Sequence, residues 1–282
     1  MSVVIQVIAL LNGFMNIVGK IFIGPVISFL PGWLSNTVIS AVIGVICIIL
    51  FKYTSNQDAI ARVRDKIKAN MLALKLFKDD LGVTFRSQAK VMGASFMLLA
   101  HALLPMIIMM IPVVLFIAQM GLFYEFSPLA EGEEAMITLK VNGEVGSPLP
   151  VVSIQSDSSF EVVDGPVRLE GKREVWWSIK ANEAGYQNIV FDVDGEKVYK
   201  NLAIGDGFMR VNLKRAGQSF WDVLLYPWES AFGTDDTVQG IEIIYSYERE
   251  GFVTGSFYWI IYLFVVSMIA AVACVPVLGV KM

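Results

Sequence analysis

The chain carries one histidine, His101, and two cysteines, Cys47 and Cys274, each set in apolar sequence. A structural zinc needs four close Cys, His or carboxylate ligands, and a nucleophilic dyad needs its base in a polar cleft. Neither chemistry fits these three residues. The acidic pairs Glu133/Glu134 and Asp235/Asp236 could attract a cation, but the ligand spacing of a calcium loop is missing, so they read as solvated turns. No catalytic constellation emerges, which argues against an enzyme and implies no cofactor.

What remains are polar residues inside apolar stretches. His101, Pro105, Ile108, Pro112, Leu115 and Gln119 fall in one stripe about 80° wide on a helical wheel. A polar, proline-kinked stripe suits a surface that faces protein or water rather than lipid, although a lone histidine equally suits an interhelix hydrogen bond. Met106, Met109, Met110 and Met120 lie on the adjacent face. Methionine repacks around different apolar partners, or simply fills gaps between helices. Small-residue stripes at Ser40, Gly44 and Cys47, and at Ser267, Ala270, Ala271 and Cys274, suit close helix contact.

The elements that must hold these residues follow from composition. Of 282 residues, 55% are hydrophobic and 17% charged, against about 25% charged in soluble domains. Mean hydropathy is +0.61. Windows 21–51, 91–124 and 251–280 contain no Asp, Glu, Lys or Arg, and each exceeds the roughly 20 residues needed to cross a bilayer. This is the pattern of a membrane protein. Pro25, Pro31 and Gly32 delay the first helix to about Ser35–Thr37, giving a first span over 35–52. Pro105 and Pro112 should bend the second, over 91–124. The third lies within 251–282, between an aromatic group (Phe257, Tyr258, Trp259, Tyr262) and Lys281. With no charge inside a span, there is no evident proton relay or ion site.

Residues 52–90 hold nine Lys/Arg against four Asp/Glu, while residues 125–250 hold eleven against twenty-two. The positive-inside rule puts the short basic loop in the cytoplasm, and with it the C-terminus. The N-terminus and the acidic segment then lie outside a plasma (inner) membrane. Residues 1–34 lack the basic start and cleavage site of a signal peptide. Ser2, Gln6, Asn12, Gly13, Asn16 and Lys20 share an arc of about 120°, as in a helix lying in the membrane interface. A fourth span paired with residues 21–34 is the alternative.

Within 53–90, Thr54-Ser55-Asn56-Gln57-Asp58 offers helix caps. Ile60, Val63, Ile67, Met71, Leu74 and Phe77 then recur at amphipathic spacing. Asp79-Asp80-Leu81-Gly82 breaks the helix, and a second from about Val83 runs into the second span. The result is an antiparallel, coiled-coil-like cytoplasmic hairpin. Its basic residues (Lys52, Arg62, Arg64, Lys66, Lys68, Lys75, Lys78, Arg86, Lys90) would touch lipid headgroups or a substrate. No interleaved aromatics support specific nucleic-acid reading.

Residues 126–250 change character. Alternating segments at 136–141, 151–155, 160–163, 167–170, 175–180, 188–192, 197–202, 209–213 and 241–247 are separated by turn signals such as Asp164-Gly165-Pro166 and Asp194-Gly195. They predict an all-β sandwich of immunoglobulin-like architecture, with Trp176 or Trp177 as a core anchor and a tyrosine corner at Tyr186. The aromatic stretch 219–229 reads as a helix packed under the sandwich or resting on the membrane.

The order of interfacial helix, inward span, basic hairpin, second span, external segment and third span resembles the Oxa1 superfamily of membrane protein insertases. It is most similar to the minimal three-span members, such as the archaeal DUF106-type proteins and the third subunit of the ER membrane complex. The resemblance covers about residues 1–124 and 251–282 and rests on topology. It implies an α-helical three-span core that acts as an insertase or intramembrane chaperone without nucleotide hydrolysis. Substrate helices would pass along a polar groove of Ser40, Ser95, His101 and Gln119, with Met106, Met109 and Met110 as an apolar slide. Implied partners are membrane lipids, nascent or unfolded membrane proteins, the ribosome, and another membrane subunit bound through the β-domain. Two departures stand out: no arginine lies in the groove, and the family does not account for the external domain. A membrane-anchored scaffold acting through the β-sandwich is the alternative function.

Overall fold

A computed structural model describes residues 3–77, 80–144, 146–155, 157–217, 219–245, 249, 251, 254–255 and 258–280. Of the residues singled out above, Ser2, Lys78, Asp79, Phe257, Lys281 and the end of the ninth β-segment lie outside them. The chain divides into two compact bodies. One comprises Met1–Asn36 with Leu115–Tyr262, the other Thr37–Val114 with Leu263–Met282.

The helices are α1 (Val3–Val18), α2 (Gly24–Phe29), α3 (Gly32–Thr54), α4 (Gln57–Leu76), α5 (Leu81–Tyr124), α6 (Phe220–Leu225) and α7 (Tyr258–Leu278). A π-helical turn, Gly19–Ile23, joins α1 to α2. Among the described residues, four stretches are long and apolar enough to cross a membrane: Val4–Phe29, Gly32–Thr54, Leu81–Tyr124 and Tyr258–Leu278. The protein therefore combines long apolar helices that could span a membrane with a separate antiparallel β-domain.

Helix boundaries follow local chemistry. Asn56 caps α4, its side chain accepting from Ala59 N at 3.0 Å. Asp80 does the same for α5 by accepting from Val83 N at 3.1 Å, so that helix starts at Leu81. α3 starts at Gly32, directly after Pro31, a few residues earlier than the Ser35–Thr37 expected from the sequence. α5 continues through both of its prolines. Neither ring can donate to the carbonyl four residues back, which leaves those of His101 and Ile108 without their usual helical donor.

The β-domain has eight strands: β1 (Glu134–Val141), β2 (Val152–Ile154), β3 (Phe160–Leu169), β4 (Glu174–Ala181), β5 (Gly185–Val193), β6 (Glu196–Ile204), β7 (Lys214–Arg215) and β8 (Val238–Ile244). One sheet has the order β3-β4-β1-β8-β7 and the other β2-β5-β6, every pairing antiparallel. Alternation sets the inward faces. Ile137 opposes Trp177 on one side and Ile243 on the other. Trp177, not Trp176, enters the core, its ring 5.7 Å from that of Phe191 on the second sheet. Asp194 and Gly195, at φ 51° and 89°, form the β5–β6 hairpin turn, which requires positive φ at both central positions.

Two expected strands, 160–163 and 167–170, are one. β3 runs through Asp164-Gly165-Pro166 by shifting register against β4 on either side. Only glycine fits at the bulge, because a Cβ on Gly165 would meet the Trp176 carbonyl oxygen at 2.8 Å. The expected strand at 209–213 is not formed. Its buried residues are real, but Val211 N donates to Leu122 O at the end of α5, not to a neighbouring strand. Tyr186 also departs from a tyrosine corner. Its hydroxyl accepts from Arg210 N, 24 residues downstream, instead of bonding to backbone just upstream.

Tyr245 ends the core, with its hydroxyl accepting from Ala203 N at 3.4 Å. Burial pushes its phenol well above the ordinary 10.0. A group whose folded pKa is raised contributes fully below its unfolded pKa and loses that contribution as pH climbs toward the folded value. Between those values the wild type should lose about 1.4 kcal/mol per pH unit more than Tyr245→Phe. Denaturant titration of the full chain at a series of pH values above 10 measures the difference.

Candidate functional site

In the body formed by residues 37–114 and 263–282, α3 and α7 run side by side in the same direction. The Gly44 backbone lies against Ser267: a Cβ there would overlap the Ser267 carbonyl oxygen. Further along, Lys52 Nζ donates to Leu278 O at 2.8 Å, placing a cation on the C-terminal carbonyls of α7. The small-residue stripes therefore mark a true backbone-to-backbone approach.

The α5 segment in this body is arranged differently. Pro105 is buried and His101 and Pro112 half-buried, whereas Ile108 between the two prolines is exposed, so the stripe is covered only in part. The His101 ring is held at Met97 O, 2.7 Å away. Ser95 is exposed and donates to Val91 O at 2.9 Å, and Ser40 on α3 is wholly buried. The methionine face is open: Met106 and Met110 are 55% and 60% exposed, and Met109 is half-buried. Leu99, Leu103, Leu104, Ile107 and Ile111 are exposed as well.

On α4 the apolar ridge is buried only at its base, at Ile60 and Val63, whereas Met71, Leu72, Leu76 and Phe77 are exposed. Arg62, Lys66, Lys68, Lys75, Arg86 and Lys90 are exposed, and Arg64 and Lys52 are half-buried.

The fourth residue of the expected groove, Gln119, belongs to the other body. It is fully buried, and Nε2 donates to Asn16 Oδ1 at 2.9 Å. Arg210 Nη2 donates to both Gln119 Oε1 and Asn16 Oδ1 (3.1 Å). The guanidinium stacks 4.3 Å above the Trp228 ring and 5.5 Å from that of Phe123. Burial lowers its pKa to about 10, so it stays charged at neutral pH. Asn16 Nδ2 in turn donates to Pro227 O at 2.7 Å. The sequence shows no charge within the spans, yet the β-domain supplies one to the polar end of α5. Arg210 could not be assigned to Gln119 from spacing, because 91 residues separate them.

A second arginine ties the same loop. Arg249 donates to the carbonyls of Gly207 (2.7 Å), Phe126 (3.1 Å) and Met209 (3.3 Å), and stacks 4.3 Å over Phe208. Phe208 fills the space a Cβ on Gly32 would need, and packs edge-on against Tyr124. The Tyr124 hydroxyl shares a 2.6 Å hydrogen bond with Ser35. The loop after β6 is thus a collar that gathers the ends of α1, α3 and α5.

Below the collar, Lys200 is fully buried, with Nζ on Glu229 Oε2 (2.7 Å), Asn212 O (2.7 Å) and Asn201 O (3.1 Å). Glu229 also accepts from Asn201 N (2.8 Å) and from Asn212 Nδ2. Burial lowers the Lys200 pKa, and Glu229 opposes the shift. Every charged atom here has a partner, as in a structural clamp rather than a reactive amine. Among the described residues, no group of three His, Cys, Asp or Glu could hold a metal ion. No protein-family model, no curated protein and no solved structure matches the chain.

Proposed function

We propose that this protein is a membrane protein insertase or intramembrane chaperone of the Oxa1 type, working without nucleotide hydrolysis. Its three-span core would comprise α3, α5 and α7, with the basic α4 and the start of α5 in the cytoplasm and an immunoglobulin-like β-domain outside a plasma (inner) membrane. The observation that carries the reading is the open methionine face of α5, in a body where α3 and α7 are locked together through Gly44 and Ser267. An incoming apolar helix can pack against Met106, Met109 and Met110 without displacing an existing partner. Its polar flank would otherwise cross hydrocarbon at several kcal/mol for each unsatisfied group. The exposed cations of α4 and α5 would hold lipid headgroups or the substrate's soluble flank.

Photo-crosslinking tests this directly. A benzophenone side chain at Met106 or Met110 should form adducts with a nascent apolar helix in inverted vesicles, and one at the buried Ile43 should not. Equal yields at the three positions, or none, overturn the proposal. In protein with Cys47 and Cys274 changed to serine, single cysteines at Ser95, His101 and Ile108 should react with an impermeant maleimide in a graded series from the basic end.

A second reading, an anchored scaffold, draws on β3. This ten-residue strand lies at a sheet edge with Val163 and Val167 exposed, so it can accept a partner strand. Deleting the β3 edge contacts would then abolish partner capture while leaving crosslinking at α5 intact.

A further inference from the structure

α1 is inside-out for a helix in water. Its buried line includes Ile8, Asn12 and Met15, while Val4, Val7, Leu10, Phe14 and Ile17 are exposed. Two of its polar residues, Asn12 and Asn16, are turned inward, onto α6 and the segment that follows it, while Gln6 and Lys20 stay exposed. Asn12 Nδ2 donates to Val223 O at 2.5 Å, and Asn16 holds Pro227.

These contacts leave a cleft of about 360 Å³ between α1 and residues 223–231, within a single compact body. The volume is in the range of small-molecule sites. One wall is made of small residues, Ala9 and Gly13, and a Cβ built on Gly13 meets nothing within 4 Å. The other wall includes Trp228, which is fixed from behind by Arg210 at 4.3 Å and by the Tyr186 ring at 5.8 Å. The cleft is thus held open by a rigid aromatic. Asn12 also lines it, 4% exposed, and its Oδ1 has no partner among the described residues. A buried acceptor left unsatisfied is costly, and a ligand donor that reaches it recovers that cost.

We propose that this cleft binds a membrane lipid with a hydroxyl-bearing head, its acyl chain against Trp228 and Gly13 and its hydroxyl on Asn12 Oδ1 after a small opening of the wall. Lipid is the occupant because α1 belongs to a 26-residue stretch apolar enough to cross a membrane. The rims beside the cleft, Leu10 and Phe14 on α1 and Trp221 and Leu225 on α6, are exposed and apolar. The site does not depend on insertion activity.

The test uses the full chain in phosphatidylcholine nanodiscs doped with diacylglycerol brominated in its acyl chain. Subtracting the Trp228→Phe protein isolates the Trp228 fluorescence. Quenching should saturate at low mole fraction, and Gly13→Leu, which fills the cleft, should raise the midpoint about tenfold. Brominated phosphatidylcholine, whose head offers no donor, should quench only at a comparably raised mole fraction. The proposal is overturned if that lipid quenches equally well, if neither lipid quenches, or if folded Gly13→Leu leaves the curve unchanged. Ala9→Phe closes the same cleft and is read identically should Gly13→Leu fail to fold.

Discussion

Lys200→Met should lower the stability of the β-domain by about 3–5 kcal/mol, the range for breaking a buried ion pair from one side. For a domain of this size the loss corresponds to a fall in Tm of roughly 10–20 °C. Removing the ammonium leaves Glu229 with Asn201 N and Asn212 Nδ2 as its described donors, in a site where little of its carboxylate reaches water. The pair joins β6 to residues 212 and 229, on either side of α6, so the same change should loosen the aromatic segment. The double variant Lys200→Met with Glu229→Leu separates the causes. If the penalty comes from a stranded carboxylate, the double variant recovers much of the loss; if it comes from shape, it does not. Thermal unfolding of the three proteins in one detergent measures both effects.

The second large effect sets one substitution against itself at two glycines. Gly44→Ala should destabilise by about 1–3 kcal/mol, since the new methyl would overlap the Ser267 backbone and α3 and α7 would have to part. Gly93→Ala, on α5, meets nothing within 4 Å and should stabilise by up to about 1 kcal/mol through helix propensity. Composition treats the two glycines alike, but packing does not. Equal and small effects at both would mean that α3 and α7 are not in backbone contact. Thermal unfolding in detergent is again the measurement.

The contrast between these glycines bears on what the sequence can reveal. Local signals were legible. Asn56 caps its helix as its side chain suggests, the break at Asp79-Asp80 falls where α4 gives way to α5, Asp194-Gly195 makes the hairpin turn, and alternation along β1 and β4 identifies their core faces. Each depends on neighbours within a few residues. Partners distant in the chain were not legible. Residues 209–213 alternate in residue type like a strand, but Val211 and Asn212 are both buried, and residue type carries no record of whether Val211 N pairs with a strand or with Leu122 O. Gln119 resembles a groove residue until Arg210 arrives from the β-domain. The polar arc of α1 is divided, with Asn12 and Asn16 turned inward and Gln6 and Lys20 exposed, because amphipathicity does not say whether a polar residue meets water, headgroups or protein. Asn12 and Asn16 meet the chain near Val223 and Pro227.

That last pairing has a consequence for the order of assembly. Asn12 and Asn16 lie 211 residues before the carbonyls they bond. At about 5–20 residues per second, synthesis needs roughly 10–40 s to deliver Val223 and Pro227. Throughout that interval the Nδ2 groups of Asn12 and Asn16 lack these acceptors, so the docking of α1 onto α6 and the segment after it is a late event in biogenesis. A helix made well before α6 is thus seated only after it, and any factor that shields it in the meantime acts on the newborn chain rather than on the finished protein.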